Sequence, residues 1–340
     1  MARRVSIKDV AREAGVSVTT VSHALNDKGR LNHETRRRVR EVASQLGYRP
    51  NPAARSLVSG RTGLIAAMAS LPAEPRVAFT EIGYYNELIG AATGVAVAHD
   101  YGLVIAPLGA GAFVWDRVPL DGVIVIGPMM GDPALPVLRE RGVPFVTVRR
   151  DPGGGGAGDP LVTIDDVAAT RHALDHLAES GARRIALLSI PPVFSLAADV
   201  LDGYRQWSRD HGQEPAIETV SLDEIVRDRS ESVASAVERL VSLADVPDAL
   251  YCPLEQLGVS AGDALIARGY KIPQDMMIVT INDTGEAERF DPPLTTVETD
   301  HRELGRRACE LLMQLIDGTA SLPAVEVVES QLFVRASTER

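Results

Sequence analysis

From residue 63 onward the chain repeats one alternation seven times: an uninterrupted apolar run, then a stretch with helical spacing. The runs are GLIAAMA (63–69), GLVIAPL (102–108), DGVIVIG (121–127), PFVTVR (144–149), RIALLS (184–189), ALYCP (249–253) and MMIVTIN (276–282). A strand with one wet face alternates apolar with polar residues. Unbroken Val, Ile and Leu predict strands covered on both faces, which is how parallel sheets sit between helices. Open sheets of this kind bind ligands in the crevice outside the carboxyl ends of their strands.

The first sixty residues have a different character. Residues 1–62 carry thirteen Lys/Arg against five Asp/Glu, a net +8, whereas the whole chain carries −11, which leaves −19 for the other 278 residues. A basic head on an acidic body predicts that the head meets a polyanion and the body does not.

Three short helices are expected in that head. In SIKDVAREAG, Ser6 followed by Asp9 is a capping-box pattern, Ile7, Val10, Ala11 and Ala14 share one face, and Gly15 can take the positive φ that ends the helix. Ser17 can cap the second helix, within GVSVTTVSHALN. At 100° per residue, Val21, Ala24 and Leu25 face the first helix; Thr19, Ser22, His23 and Asn26 face away, with Val18 at the border. Two such helices joined through a tight Gly turn make a helix-turn-helix. A third helix, capped by Asn32, supplies Val39, Val42, Ala43 and Leu46 to a shared core, with Arg36, Arg37, Arg38 and Arg40 around it. YRPNPAARSLVSGRTG follows; its helical potential over 53–58 is too short to persist alone in water.

The order IKDVAREAGVS..TVSHALN…TRRRV…A..LGYRPNPAARSL resembles the LacI/GalR family of bacterial transcription regulators. The resemblance implies that the second helix enters the major groove of DNA. Val18, Thr19 and His23 would be the main base readers, with Ser22 and Asn26 beside them and Ser6, Ser17, Thr20, Thr35, Tyr48 and Asn51 as further DNA contacts. Leu57 matches the leucine that the family's hinge helix wedges between base pairs, with Ala54 and Arg55 next to it; such a wedge unstacks a step and bends the duplex. The implied organisation is a helix-turn-helix domain over 1–49, a hinge over 50–62 and an effector-binding and dimerisation domain over 63–340.

The body resembles the family's type I periplasmic-binding-protein-like domain, an α/β fold of two lobes, through VPLDGVIVIG, VPFVTVRR, VTIDDVAATRHALDHLAESGARRIALLS and DPPLTTVETDHRELGRRACELL. The crossings between lobes are expected near Leu161, Val297 and Val325, so the first lobe takes 63–161 and 297–325 and the second 162–296 and 326–340. Three polar anchors that family members use for a sugar or nucleobase are altered: by position, Val200 stands for an Arg, Leu254 for an Asn (with Glu255 for the next Asp), and Asn282 for an Asp. A site that has lost hydrogen-bonding groups binds hydroxyls poorly. The expected cleft is lined by Tyr84, Tyr85, Phe194, Val200, Leu254 and Phe290, with Asn282 and Asp283 as its polar contacts. It would take a less sugar-like effector, a sugar held by rearranged contacts, or none.

Other chemistries find little support. DPGGGGAGDP (151–160) lacks the strand-to-helix turn and Lys-Ser/Thr of a phosphate loop and reads as a surface loop. The Asp165–Asp166 pair reads as helix capping rather than acid–base machinery. No metal-ligand spacing and no GxSxG occur, and no cofactor is expected. Cys252 and Cys309 read as small buried hydrophobes of a reducing compartment. No apolar run long enough for a membrane span and no signal peptide are found, so a cytoplasmic protein is expected. The sequence thus predicts a dimeric repressor that binds a palindromic operator in double-stranded DNA, modulated by a small effector. The alternatives are a solute-binding module or a DNA-tethered enzyme.

Overall fold

The computed structural model describes residues 5–25, 31–48, 60–70, 83–107, 114–154, 158–282 and 285–340. The chain divides into two units, Met1–Thr62 and Gly63–Arg340.

The first unit holds α1 (Ile7–Ala14), α2 (Val18–Leu25) and α3 (His33–Gln45). Their starts are written in the sequence. The Asp9 carboxylate accepts from the Ser6 N–H at 3.0 Å and the Ser6 hydroxyl at 2.7 Å, Ser17 Oγ accepts from the Thr20 N–H at 3.0 Å, and Asn32 Oδ1 accepts from the Thr35 N–H at 2.7 Å. Gly15 ends α1 at φ +65°. Val10, Ala11, Ala14, Val21, Ala24, Val39 and Ala43 form the small core, with Val42, Leu46 and Tyr48 packed on its edge.

The second unit contains two six-stranded sheets. Its strands are β1 (Leu64–Ala69), β2 (Gly102–Pro107), β3 (Gly122–Ile126), β4 (Phe145–Val148), β5 (Leu161–Thr163), β6 (Ile185–Ser189), β7 (Ala216–Thr219), β8 (Ala249–Cys252), β9 (Met277–Ile281), β10 (Thr295–Thr299), β11 (Val325–Val327) and β12 (Ser330–Phe333). The helices are α4 (Gly83–Ala98), α5 (Ala134–Arg141), α6 (Asp166–Glu179), α7 (Ser195–Asp210), α8 (Leu222–Val241), α9 (Glu255–Ala267), α10 (Glu286–Arg289) and α11 (His301–Asp317). The first sheet runs β11-β5-β4-β3-β1-β2 and the second β12-β10-β9-β8-β6-β7.

Each apolar run of the sequence lies in one strand, and β3, β4, β6, β8 and β9 are buried along their whole length. Apolar side chains leave each sheet on both faces. One face of the first sheet packs on α4 and α11 through Leu88, Ala92, Leu304 and Leu312; the other packs on α5 through Leu135 and Leu138. In the second sheet the corresponding layers are α8 with α9, and α6 with α7.

The chain crosses between the sheets after Thr163, after Thr299 and after Val327, two residues beyond each expected position. All pairings between these strands are parallel except that of β10 with β12. β12 carries the chain into the second lobe, whereas β10 carries it out, so the two must oppose. Cys252 and Cys309 are buried free thiols, and burial raises both, Cys309 to about 12. Among the described residues, no helix is long and apolar enough to cross a membrane and no group of His, Cys, Asp and Glu could hold a metal.

Candidate functional site

In the head, α2 is anchored by Val21 and Ala24, both 0% exposed. The opposite side carries Thr19, exposed, with Ser22 and His23 half-buried, and Val18 at the border is 40% exposed. Short side chains of this kind let a helix backbone come close to base edges, and an exposed Val suits a thymine methyl. The Ser6, Ser17 and Thr20 hydroxyls are already used at the starts of helices, with Ser17 Oγ 2.9 Å from Thr20 Oγ1. Thr35 sits in the first turn of α3, and Tyr48 lies half-buried against the three-helix core. Asn26, Asn51, Ala54, Arg55 and Leu57 lie outside the described residues.

In the body, residues that follow strands of the two sheets meet across the lobes, and the cleft is furnished differently from expectation. Val200 does not line it: the side chain is 0% exposed and packs inside the second lobe with Ile185, Leu187, Tyr204 and Trp207. One residue along a helix is a turn of 100°, so Asp199 takes the outward direction instead and pairs with Arg150 of the first lobe. Phe194 and Leu254 stand just before α7 and α9, half-buried on the second lobe's core. Phe290 lies over Gly262, where an added Cβ would come within 2.4 Å of its ring. Tyr85 is buried in the first lobe's core. Asp283 lies outside the described residues.

Tyr84 and Asn282 do come together, around His301. Nε2 of His301 donates to Asn282 Oδ1 at 2.9 Å, and the Tyr84 ring meets the His301 ring edge-on at 4.9 Å. Behind them, Arg149 is ion-paired with Asp166, with side chains only 7% and 4% exposed. Arg149 also flanks the Tyr84 phenol. Burial pushes that phenol up, and the guanidinium pulls it partly back. Burial likewise pushes His301 down, Glu87 at 3.6 Å draws it up, and Arg149 adds a further downward push.

Asp165 caps α6 by accepting from the Ala168 N–H at 2.9 Å, as its place in the sequence suggests; Asp166 does not share that role, because its carboxylate is taken by Arg149. Glu255, 2% exposed, accepts from the Glu286 and Ala287 N–H groups at 2.9 Å each and so caps α10. Sequence reasoning missed Arg149, Arg150, Asp199 and His301. The one signal for the arginines was VTVRR, a charged pair directly after a mostly apolar run.

Comparisons with known proteins cover both units. The profile described as bacterial regulatory proteins, lacI family, matches residues 6–51, and that of a periplasmic binding protein-like domain matches residues 174–338. The chain is 31% identical over 342 residues to the HTH-type transcriptional regulator CelR of Thermobifida fusca, covering 98% of each chain. It is 26% identical to the HTH-type transcriptional repressor CytR of Escherichia coli (strain K12), over 98% of this chain and 96% of that one. It superposes on a solved complex of CelR with cellobiose with a TM-score of 0.71 at 27% identity, over 98% of this chain and 100% of that one. With a lac repressor dimer bound to operator and the anti-inducer ONPF it shares the fold, at a TM-score of 0.82 and 23% identity over 99% of both chains. Because the CelR match runs through head and body alike, this chain belongs to the lacI family of bacterial regulatory proteins, which are DNA-binding transcriptional regulators.

Proposed function

We propose that the protein is a repressor that binds a palindromic operator as a homodimer and changes its grip when an effector enters the cleft between its lobes. The observation that carries the DNA-binding half is α2: two buried anchors hold it, while its far side is short, uncharged and rich in hydrogen-bonding groups. Val18, Thr19 and His23 would read bases, with Ser22 and Asn26 beside them. Arg36, Arg37, Arg38 and Arg40 would neutralise phosphates, setting affinity and salt dependence more than sequence choice. Two heads held by a dimer read two half-sites. The outward face of α4 suits such a dimer, because Gly90, Gly94 and Val97 are exposed there, Val97 by 63%.

The expected effector is less sugar-like than those of the relatives. The complex of CelR holds cellobiose; here Leu254 and Phe194 stand at the mouths of α9 and α7, and Asn282 is engaged with His301. A ligand acts only through its difference in affinity for the two lobe arrangements. A DNA-reading head suits the cytoplasm.

Selection of genomic fragments by the purified chain, with and without pooled metabolites, tests this function. Enrichment of a palindrome is expected; equal retention of random duplex at moderate salt would refute it. Thermal-shift screening of sugars, nucleosides and apolar metabolites tests the effector class. A large rise in melting temperature with a simple sugar would favour the second reading, a sugar held by rearranged contacts.

A further inference from the structure

The facing walls of the cleft are joined by the protein's own groups. Arg149 and Arg150 follow β4 in the first lobe; Asp166 opens α6 and Asp199 lies in α7, both in the second. The pairs Arg149–Asp166 and Arg150–Asp199 therefore run from lobe to lobe. His301, the first residue of α11, packs with the first lobe, and Asn282 directly follows β9 of the second; their 2.9 Å hydrogen bond is a third link. At another point of the cleft the backbones meet: Met129 and Phe194 form an isolated antiparallel bridge, and the Met130 N–H donates to the Val193 carbonyl at 2.8 Å.

Two of these linking residues have left-handed backbones, Arg149 at φ +69° and Asn282 at φ +64°. An L-residue with a Cβ adopts that region at a cost, and it persists where surrounding contacts fix it. Both sit at the carboxyl end of a strand, one in each lobe, and both are held by an interlobe partner.

We propose that these links form a latch that closes the two lobes without any ligand, so that an effector acts by breaking an existing closed state rather than by bridging open lobes. This rests on the cleft being the regulatory site of a DNA-binding protein. In a two-lobed fold, closure needs polar groups on one wall to be met from the other. A bound ligand ordinarily supplies them; here complementary charges already meet, Arg against Asp twice. An effector must then compete with internal partners, and the closed state is populated before it arrives.

The outer pair gives the test, because Arg150 is 42% exposed and its replacement leaves no buried charge behind on the first lobe. Cysteines placed at the bridged positions, Met129→Cys with Phe194→Cys, report closure by forming an intramolecular disulfide, since paired residues of an antiparallel bridge lie within disulfide reach. The native thiols are buried and do not interfere. In ligand-free full-length protein the pair should oxidise readily. Adding Arg150→Asp should slow oxidation roughly threefold or more, and the swap Arg150→Asp with Asp199→Arg should restore it. Small-angle scattering of Arg150→Asp without the cysteines should show a larger radius of gyration than wild type. A cysteine pair that stays reduced in the otherwise unaltered protein, or that oxidises equally fast with Arg150→Asp, overturns the latch. Selective DNA binding, measured on the same preparations, is a separate readout: its loss would sink the regulator function and leave the latch result standing.

Discussion

The His301 ring reaches across from the start of α11 to the end of β9, where its Nε2 donates to Asn282 Oδ1 at 2.9 Å. Asn282, where the resemblance leads one to expect an Asp, is an amide already engaged by the protein. That single bond ties together the packing of Tyr84, the left-handed backbone of Asn282 and the charge state of a buried imidazole.

The charge state gives a pH prediction. Burial holds His301 below its ordinary value, and His176 is lowered for the same reason, while Glu87 and Asp300 oppose and Arg149 reinforces the shift at His301. The unfolded chain takes up these protons at about pH 6.5 and the folded chain only at lower pH, so stability is full above that value and falls as the solution is acidified. Melting temperature should drop between pH 7.5 and 5.5, and less so for His301→Gln. Identical drops in the two proteins would remove His301 from the account.

Gly305 sets the spacing of α4 and α11. A Cβ at that position would lie 2.0 Å from the Leu88 carbonyl oxygen, so Gly305→Ala must push two backbones apart. The expected loss is about 1–3 kcal/mol, the range for overpacking. Urea denaturation should show a lower midpoint with an unchanged slope.

Val18 and Val21 are one helical turn apart and should behave oppositely. Val21 is fully buried and Val18 is 40% exposed. Val21→Ala should destabilise the head by about 2 kcal/mol, read by amide exchange of residues 7–45. Val18→Ala should leave exchange unchanged and cost about 1–3 kcal/mol of operator binding, with relaxed preference at one base pair.

Leu57 tests the hinge, which lies outside the described residues. If its side chain wedges into the duplex, Leu57→Ala weakens selected operators far more than random DNA. Equal losses on both, measured by fluorescence anisotropy, would contradict that role.

Gly94 tests the dimer face. Nothing lies within 4 Å of where its Cβ would be, so Gly94→Arg should fold normally. Sedimentation velocity should then show a shift toward monomer and, with it, weaker operator binding. A dimer of wild-type strength would place the contact elsewhere.

Much of this is legible in the amino-acid sequence. Ser6, Ser17 and Asn32 announce helix starts because a cap is a contact over three residues. The seven apolar runs announce strands because burial on both faces leaves its mark in consecutive residues. Val21 and Ala24 point inward as the helical period requires. The cleft was less legible. Val200 stands where a ligand contact was expected, yet a turn of 100° sends it into the core and presents Asp199 instead.

The sequence by itself determined the helix-turn-helix, the strand-helix alternation and the split of charge between head and body, since each depends on neighbours within a few residues. Only the tertiary structure decided that Arg149 meets Asp166, that Arg150 meets Asp199 and that His301 meets Asn282. Those partners are 17, 49 and 19 residues apart. They touch because three crossings of the chain bring the ends of two sheets together, a geometry that no local periodicity records.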